Sequence, residues 1–135
     1  MKVLVNECYG GYGISTEAGK LWLERKGIAY QIYEDTYQLI VSIDGLTQSI
    51  GNYIDRTDET LIEIFEEKGS EFTSGIHAEL ALEEIPDGCK YDIHEYDGTE
   101  YINNTWIEIT LDELKNGLSG DRLELAQKVS CIRVV

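Results

Sequence analysis

A chain of 135 residues has the length of one domain, here taken as 1–135, and can bury roughly two thirds of its unfolded surface without disulfide or metal staples. With 42% apolar residues and a single proline it is not a disordered acidic tail, and no apolar run approaches the ~20 residues of a membrane span. The net charge of −15 excludes direct nucleic-acid and anionic-membrane partners and favours a basic surface as partner. The start, MKVLVNECYGG, meets Glu7 too early for a signal-peptide core, so the expected compartment is the cytoplasm. Cys8, Cys89 and Cys131 are odd in number and widely spaced, which reads as free thiols.

In chain order, residues 2–6 predict a buried strand. A turn-rich stretch through Gly10, Gly11, Tyr12 and Gly13 leads to Ser15 or Thr16 as the cap of a helix over 16–26. Ala18, Leu21 and Trp22 form its apolar stripe, and Lys26-Gly27 stops it. Residues 28–33 and 37–43 are β-rich, with Asp44-Gly45 as a turn, and 46–54 is ambiguous. A second helix starts at Thr57 or Asp58 and ends at Gly69. Leu61, Ile62, Ile64 and Phe65 share one arc of it, and Glu59, Glu63, Glu66 and Glu67 the other.

Residues 78–102 predict a hairpin turning at Pro86-Asp87-Gly88, with a bulge where Ile85 falls out of phase. Asp97-Gly98 is a second tight turn. A short strand at 106–109, a capping box from Thr110 to Glu113, a short helix to Asn116, another helix over 121–128 and a final strand at 131–135 complete the chain. The class is α+β, with a mixed or mostly antiparallel sheet and two principal helices.

Function is less visible than fold. Fifteen of the 26 Asp/Glu lie in residues 55–100, against Arg56, Lys68 and Lys90 alone, so that third of the chain holds a net −12. The candidate partner-binding residues are therefore Glu59, Glu63, Glu66 and Glu67 on the helix and Glu83 and Asp92 on the hairpin. Solvated faces explain such glutamates equally well. The second candidate is a ligand loop made of Gly10, Gly11, Tyr12, Gly13 and Ser15, placed between a strand and a helix start where backbone N–H groups meet anions. Its spacing is neither the dinucleotide fingerprint nor a P-loop, Lys20 is its only nearby cation, and a plain tight turn is the alternative.

Catalysis ranks last. Cys8 near a helix start, with His77 or His94 as base, forms no nucleophile motif, and a small buried cysteine is the commoner state. His94 with Asp92 and Asp97 lacks metal-ligand spacing, so neither a metal nor a cofactor is expected. Nine tyrosines and two tryptophans exceed what a core needs, which favours protein contact, a homo-oligomer included.

Four stretches, Val5-Asn6-Glu7-Cys8-Tyr9-Gly10-Gly11-Tyr12-Gly13-Ile14-Ser15, Arg56-Thr57-Asp58 with Leu61-Ile62, Glu84-Ile85-Pro86-Asp87-Gly88 and Glu95-Tyr96-Asp97-Gly98-Thr99-Glu100, together resemble a family of small uncharacterised bacteriophage and prophage proteins. The pattern carries no catalytic residues. The resemblance implies a phage origin and, with the acidity, an inhibitor of a basic host defence or nucleic-acid-binding protein. A DNA mimic of this kind would array carboxylates at phosphate-like spacing on helix 58–68 and hairpin 79–100. The alternative is a small-ligand or nucleotide-binding protein that sequesters a defence signal in the loop of residues 10–13.

Overall fold

Val3, Leu4 and Val5 are all fully buried, although a strand points successive side chains in opposite directions. Both faces must therefore be covered, and the computed structural model, which describes residues 1–36 and 38–135, shows by what. Strand β1 (Lys2–Asn6) pairs antiparallel with β5 (Leu80–Glu84), and the two form a wall between two cores. Leu4 joins one core with Trp22, Leu39, Leu61 and Ile64. Val3 and Val5 join the other with Ile85, Cys89, Ile107 and Ile109. Each such fully buried aliphatic side chain contributes roughly 1.5–3 kcal/mol.

Helix α1 (Thr16–Lys26) lies on the first core, where the sequence predicts it. Ser15 caps it by accepting the Ala18 amide. Gly27 closes it in the left-handed conformation, and the Ile28 amide returns to the Leu23 carbonyl. That closure turns Ile28 back onto the core, so the next strand, β2 (Gln31–Asp35), begins three residues later than expected. It pairs with β3 (Leu39–Ile43), which turns through Asp44-Gly45, both at positive φ, into β4 (Leu46–Ser49). The first expected residue of the third strand, Tyr37, lies outside the described residues. The ambiguous stretch thus divides into a strand and one short helix, α2 (Ile50–Tyr53).

Helix α3 (Glu59–Thr73) starts at Asp58 and its first, regular part ends at Gly69, both as predicted. Gly69 breaks the helical geometry at φ 87°, and one further turn follows, held by Thr73 Oγ1 donating to the Gly69 carbonyl. The two principal helices are cross-linked through Asp58. Its carboxylate accepts from the Leu61 amide at 2.9 Å and Trp22 Nε1 at 2.8 Å, and pairs with Lys26 at 3.3 Å. Burial opposes the charge, but these donors outweigh it and hold the carboxyl below its ordinary 3.8. A depressed folded-state value means that this stabilisation is complete above the unfolded value and is lost as pH falls through the folded one. Replacing Asp58 with Asn is expected to flatten the acid limb of the stability–pH curve below about pH 4. Urea titrations from pH 7 down to pH 2 check this.

The expected hairpin over 78–102 is not formed. The turn at Pro86-Asp87-Gly88 exists, with Gly88 at φ 81°, but it carries the chain from one sheet to another. Ile85 is no bulge: it extends the β1–β5 ladder by one pair, exchanging backbone hydrogen bonds with Met1, and its side chain is buried in the second core beside Val3 and Val5. The true hairpin joins β6 (Lys90–Tyr96) to β7 (Thr99–Ile109) through Asp97-Gly98, and its register shifts between Asp92 and Ile93. Helix α4 (Leu111–Asn116) has the predicted capping box, α5 (Gly120–Lys128) follows, and β8 (Cys131–Val134) adds to β7 in parallel. The class is α+β, as expected, but its strands form three small sheets, six of the eight joined only antiparallel. Among the described residues no helix is long and apolar enough to cross a membrane.

Candidate functional site

The glycine-rich loop packs at the junction of the three sheets. An added Cβ at Gly10 would lie 1.8 Å from the His77 carbonyl oxygen, and one at Gly75 would lie 2.9 Å from the Gly13 carbonyl carbon. Gly75 N donates to the Gly13 carbonyl, and Ser15 N to that of Thr73. Part of the loop's glycine content is thus demanded by two backbones in contact. Cys8 belongs to the same packing: its thiol donates to the His77 carbonyl at 3.1 Å.

Beneath the loop lies a polar cluster that sequence reasoning missed. Arg56 makes a two-pronged pair with Glu100, Nη1 to Oε1 at 2.8 Å and Nη2 to Oε2 at 2.9 Å, and also donates to the Leu4 carbonyl. Its guanidinium stacks 3.4 Å from the Tyr12 ring centre. Burial works against the Arg56 charge, yet the Glu100 bonds outweigh it and the pKa stays above the ordinary value. The Tyr12 hydroxyl is buried with no partner among the described residues, and burial pushes its pKa up to about 12. Asn6, fully buried, donates from Nδ2 to the carbonyls of Cys8 and Gly98 and accepts the Glu79 amide. Its own amide donates to Glu100. The cluster therefore joins the β1 end, the glycine loop, the entry to α3 and the β6–β7 turn.

Above the loop is a cleft of about 360 Å3, bordered by residues 10–14, 49–52 and 75–78 together with Gln38. Of the five predicted ligand residues, Gly10, Gly11, Tyr12 and Gly13 line it. Ser15 does not: its side chain caps α1 and donates to the Phe72 carbonyl. The cation expected for a phosphate is also engaged elsewhere, since Lys20 pairs with Asp35 at 2.5 Å. An anion-binding reading of the loop thus loses both its helix terminus and its lysine.

No protein-family model, curated protein or solved structure matches this chain.

The acidic candidates separate into three kinds. Glu59 and Glu63 are exposed on α3 and carry no ion pair among the described residues. Glu66 and Glu67 are held by Lys2 at 2.9 Å and Arg25 at 2.6 Å. Glu83 and Asp92 are half-buried and accept the backbone amides of Ile102 and Asn104. The expected rows of carboxylates along 79–100 do not exist. On β5 the alternation gives Leu80, Leu82, Glu84 on one face and Ala81, Glu83 on the other. On β6 it gives Lys90, Asp92, His94, Tyr96 and Tyr91, Ile93, Glu95. No strand face carries two successive acids. His94 packs on Tyr101, ring centres 5.0 Å apart. Among the described residues, no three His, Cys, Asp or Glu side chains gather as a metal site.

Proposed function

We propose that this chain is a non-enzymatic acidic binding protein that inhibits a basic, nucleic-acid-binding host protein by covering its nucleic-acid surface. One observation carries the reading. Among the described residues, eight of the eleven Lys/Arg side chains are consumed in internal ion pairs. Of the other three, Lys68 lies over Phe72 and Arg133 over Trp106. Nine of the 26 carboxylates are paired, which leaves seventeen without an ion pair among the described residues. The cations neutralise the fold's own acids, and the excess negative charge is left for the exterior.

Glu59 and Glu63, one helical turn apart and separated by about 6 Å of rise, come near phosphate spacing. Asp87 borders the same groove. The resemblance to small phage proteins supports a host target but does not name it.

The test uses the charge-reversed pair Glu59→Lys with Glu63→Lys, which breaks no internal ion pair. Immobilised wild type is expected to retain basic, nucleic-acid-binding proteins from bacterial lysate at low ionic strength. About 1 M salt, where the Debye length is about 3 Å, should release them. The variant is expected to bind about tenfold more weakly or worse. Capture that survives both high salt and charge reversal would sink the proposal.

A further inference from the structure

Eight of the chain's thirteen glycines sit at positive φ, and three more, Gly10, Gly19 and Gly75, are hemmed in by neighbours closer than 3.0 Å to an added Cβ. Two glycines remain with neither reason. Gly13 has its nearest neighbour 3.9 Å from an added Cβ, and Gly51 has none within 4 Å among the described residues. Gly51 moreover sits inside α2, where glycine is a poorer choice than alanine. Both border the same cleft, from opposite segments of the chain. Neither backbone geometry nor packing explains them, so the space above them is what they preserve.

The chemistry of the wall is equally selective. Asp, Glu, Lys and Arg make up 27% of the chain, yet among the described residues none of the four lines the cleft. The polar groups are the carboxamides of Gln38 and Asn52, the Ser49 hydroxyl and His77. Ile14 and Ile76 supply apolar surface. Flat glycine surface and aliphatic walls suit a flat ring, and carboxamides offer the paired donor and acceptor that match the edge of a base, adenine above all. A phosphate would find no lysine or arginine here.

We propose that this cleft is a binding site for an uncharged nucleoside of the adenosine type, seated over Gly13 and Gly51 with Asn52 and Gln38 at the edge of its base. The site is separate from the acidic face of α3, so the failure of either reading leaves the other standing.

The test is calorimetric titration and thermal melting with adenosine, guanosine, cytidine, uridine and adenosine monophosphate. Adenosine is expected to bind and to raise the melting temperature, and the added phosphate is expected to bring no gain in affinity. Gly51→Ala is the decisive variant, because its two effects have opposite sign. A better helix former should hold or raise the melting temperature of the free protein, while the new methyl group should weaken adenosine binding by at least about tenfold. If Gly51→Ala fails to fold, the exposed Asn52→Ala supplies the same test through the base edge. Absence of binding by every nucleoside overturns the proposal, as does an unchanged affinity in a folded variant or tighter binding of the monophosphate.

Discussion

Replacing Glu100 with alanine is expected to cost about 3–5 kcal/mol of folding stability, against a total of about 5–15 for a domain of this size. The Glu100 side chain is 8% exposed and that of Arg56 24%. Removing the carboxylate leaves a guanidinium that is largely out of water, still committed to the Leu4 carbonyl and to the Tyr12 ring. It also strips the Asn6 amide of its acceptor. Arg56→Lys should cost about 2 kcal/mol, because an ammonium makes neither the two-pronged bond nor the stacked contact. A double variant, Arg56→Met with Glu100→Leu, removes the buried charges together and is expected to cost less than the sum of its parts. It should not return to wild type, since Leu4 and Asn6 keep unanswered backbone groups. Urea unfolding at pH 7 of wild type, Arg56→Met, Glu100→Leu and the double variant closes the cycle, with Glu100→Ala and Arg56→Lys measured alongside. A loss below about 1 kcal/mol for Glu100→Ala would show that the pair decorates the fold rather than holding it.

Asn6→Asp is expected to be the most damaging conservative change in the chain. One side of the Asn6 carboxamide gives hydrogens to two carbonyls, each at 2.8 Å, and the other takes one from the Glu79 amide at 2.8 Å. A carboxylate sets an oxygen against two oxygens in a site of zero exposure. A loss of about 3 kcal/mol or more at pH 7 follows from the unmade bonds and the buried charge. The sign with pH is opposite to that of Asp58. The new carboxyl has its folded-state pKa raised, so the folded protein binds the extra proton and stability falls as pH rises above about 4. A variant whose deficit is the same at pH 4 and pH 8 would contradict this account. Asn6→Ala, with no titrating group, is the control and should show a deficit independent of pH.

Local chemistry made half of this fold legible. The Ser15 cap, the Gly27 stop, the Asp58 start and the box between Thr110 and Glu113 are each decided within a few residues, and each stands where the sequence predicts it. Strand partners are another matter. Alternation tells which face of 80–84 is buried but not which strand lies alongside, and the strong turn after it invited the wrong neighbour. Ile85 held a clue, since a second core covers the other face of the same strand, so its apparent break in phase is neither a bulge nor an end of pairing. The Asn6–Arg56–Glu100 cluster was out of reach for a different reason. Its members are 44 and 94 residues apart, and a polar side chain at a strand end ordinarily reads as surface. Three segments of the sequence, 5–15, 56–62 and 95–100, nonetheless meet there, whereas 84–88 lies at the other end of β1. The cleft was half legible: the loop of residues 10–13 was visible as a candidate, whereas Gln38, Gly51 and Asn52 carried no signal until the topology brought them opposite it.

The pairing of β1 with β5 also sets an order of events. Lys2 meets Glu84 and Asn6 meets Leu80, so β1 waits until the chain has been made through residue 84 before its pairing is complete. Its last donor waits longer still, for Glu100. Contacts of such long sequence separation form slowly, and until they do Val3-Leu4-Val5 is a bare, adhesive tripeptide. Lys2 and Glu7 flank it with opposite charges, in the position of gatekeepers against premature association with other nascent chains. The hazardous interval in the life of this protein is therefore its own synthesis, and it ends only when the turn at Asp97-Gly98 delivers Glu100 to the far end of the first strand.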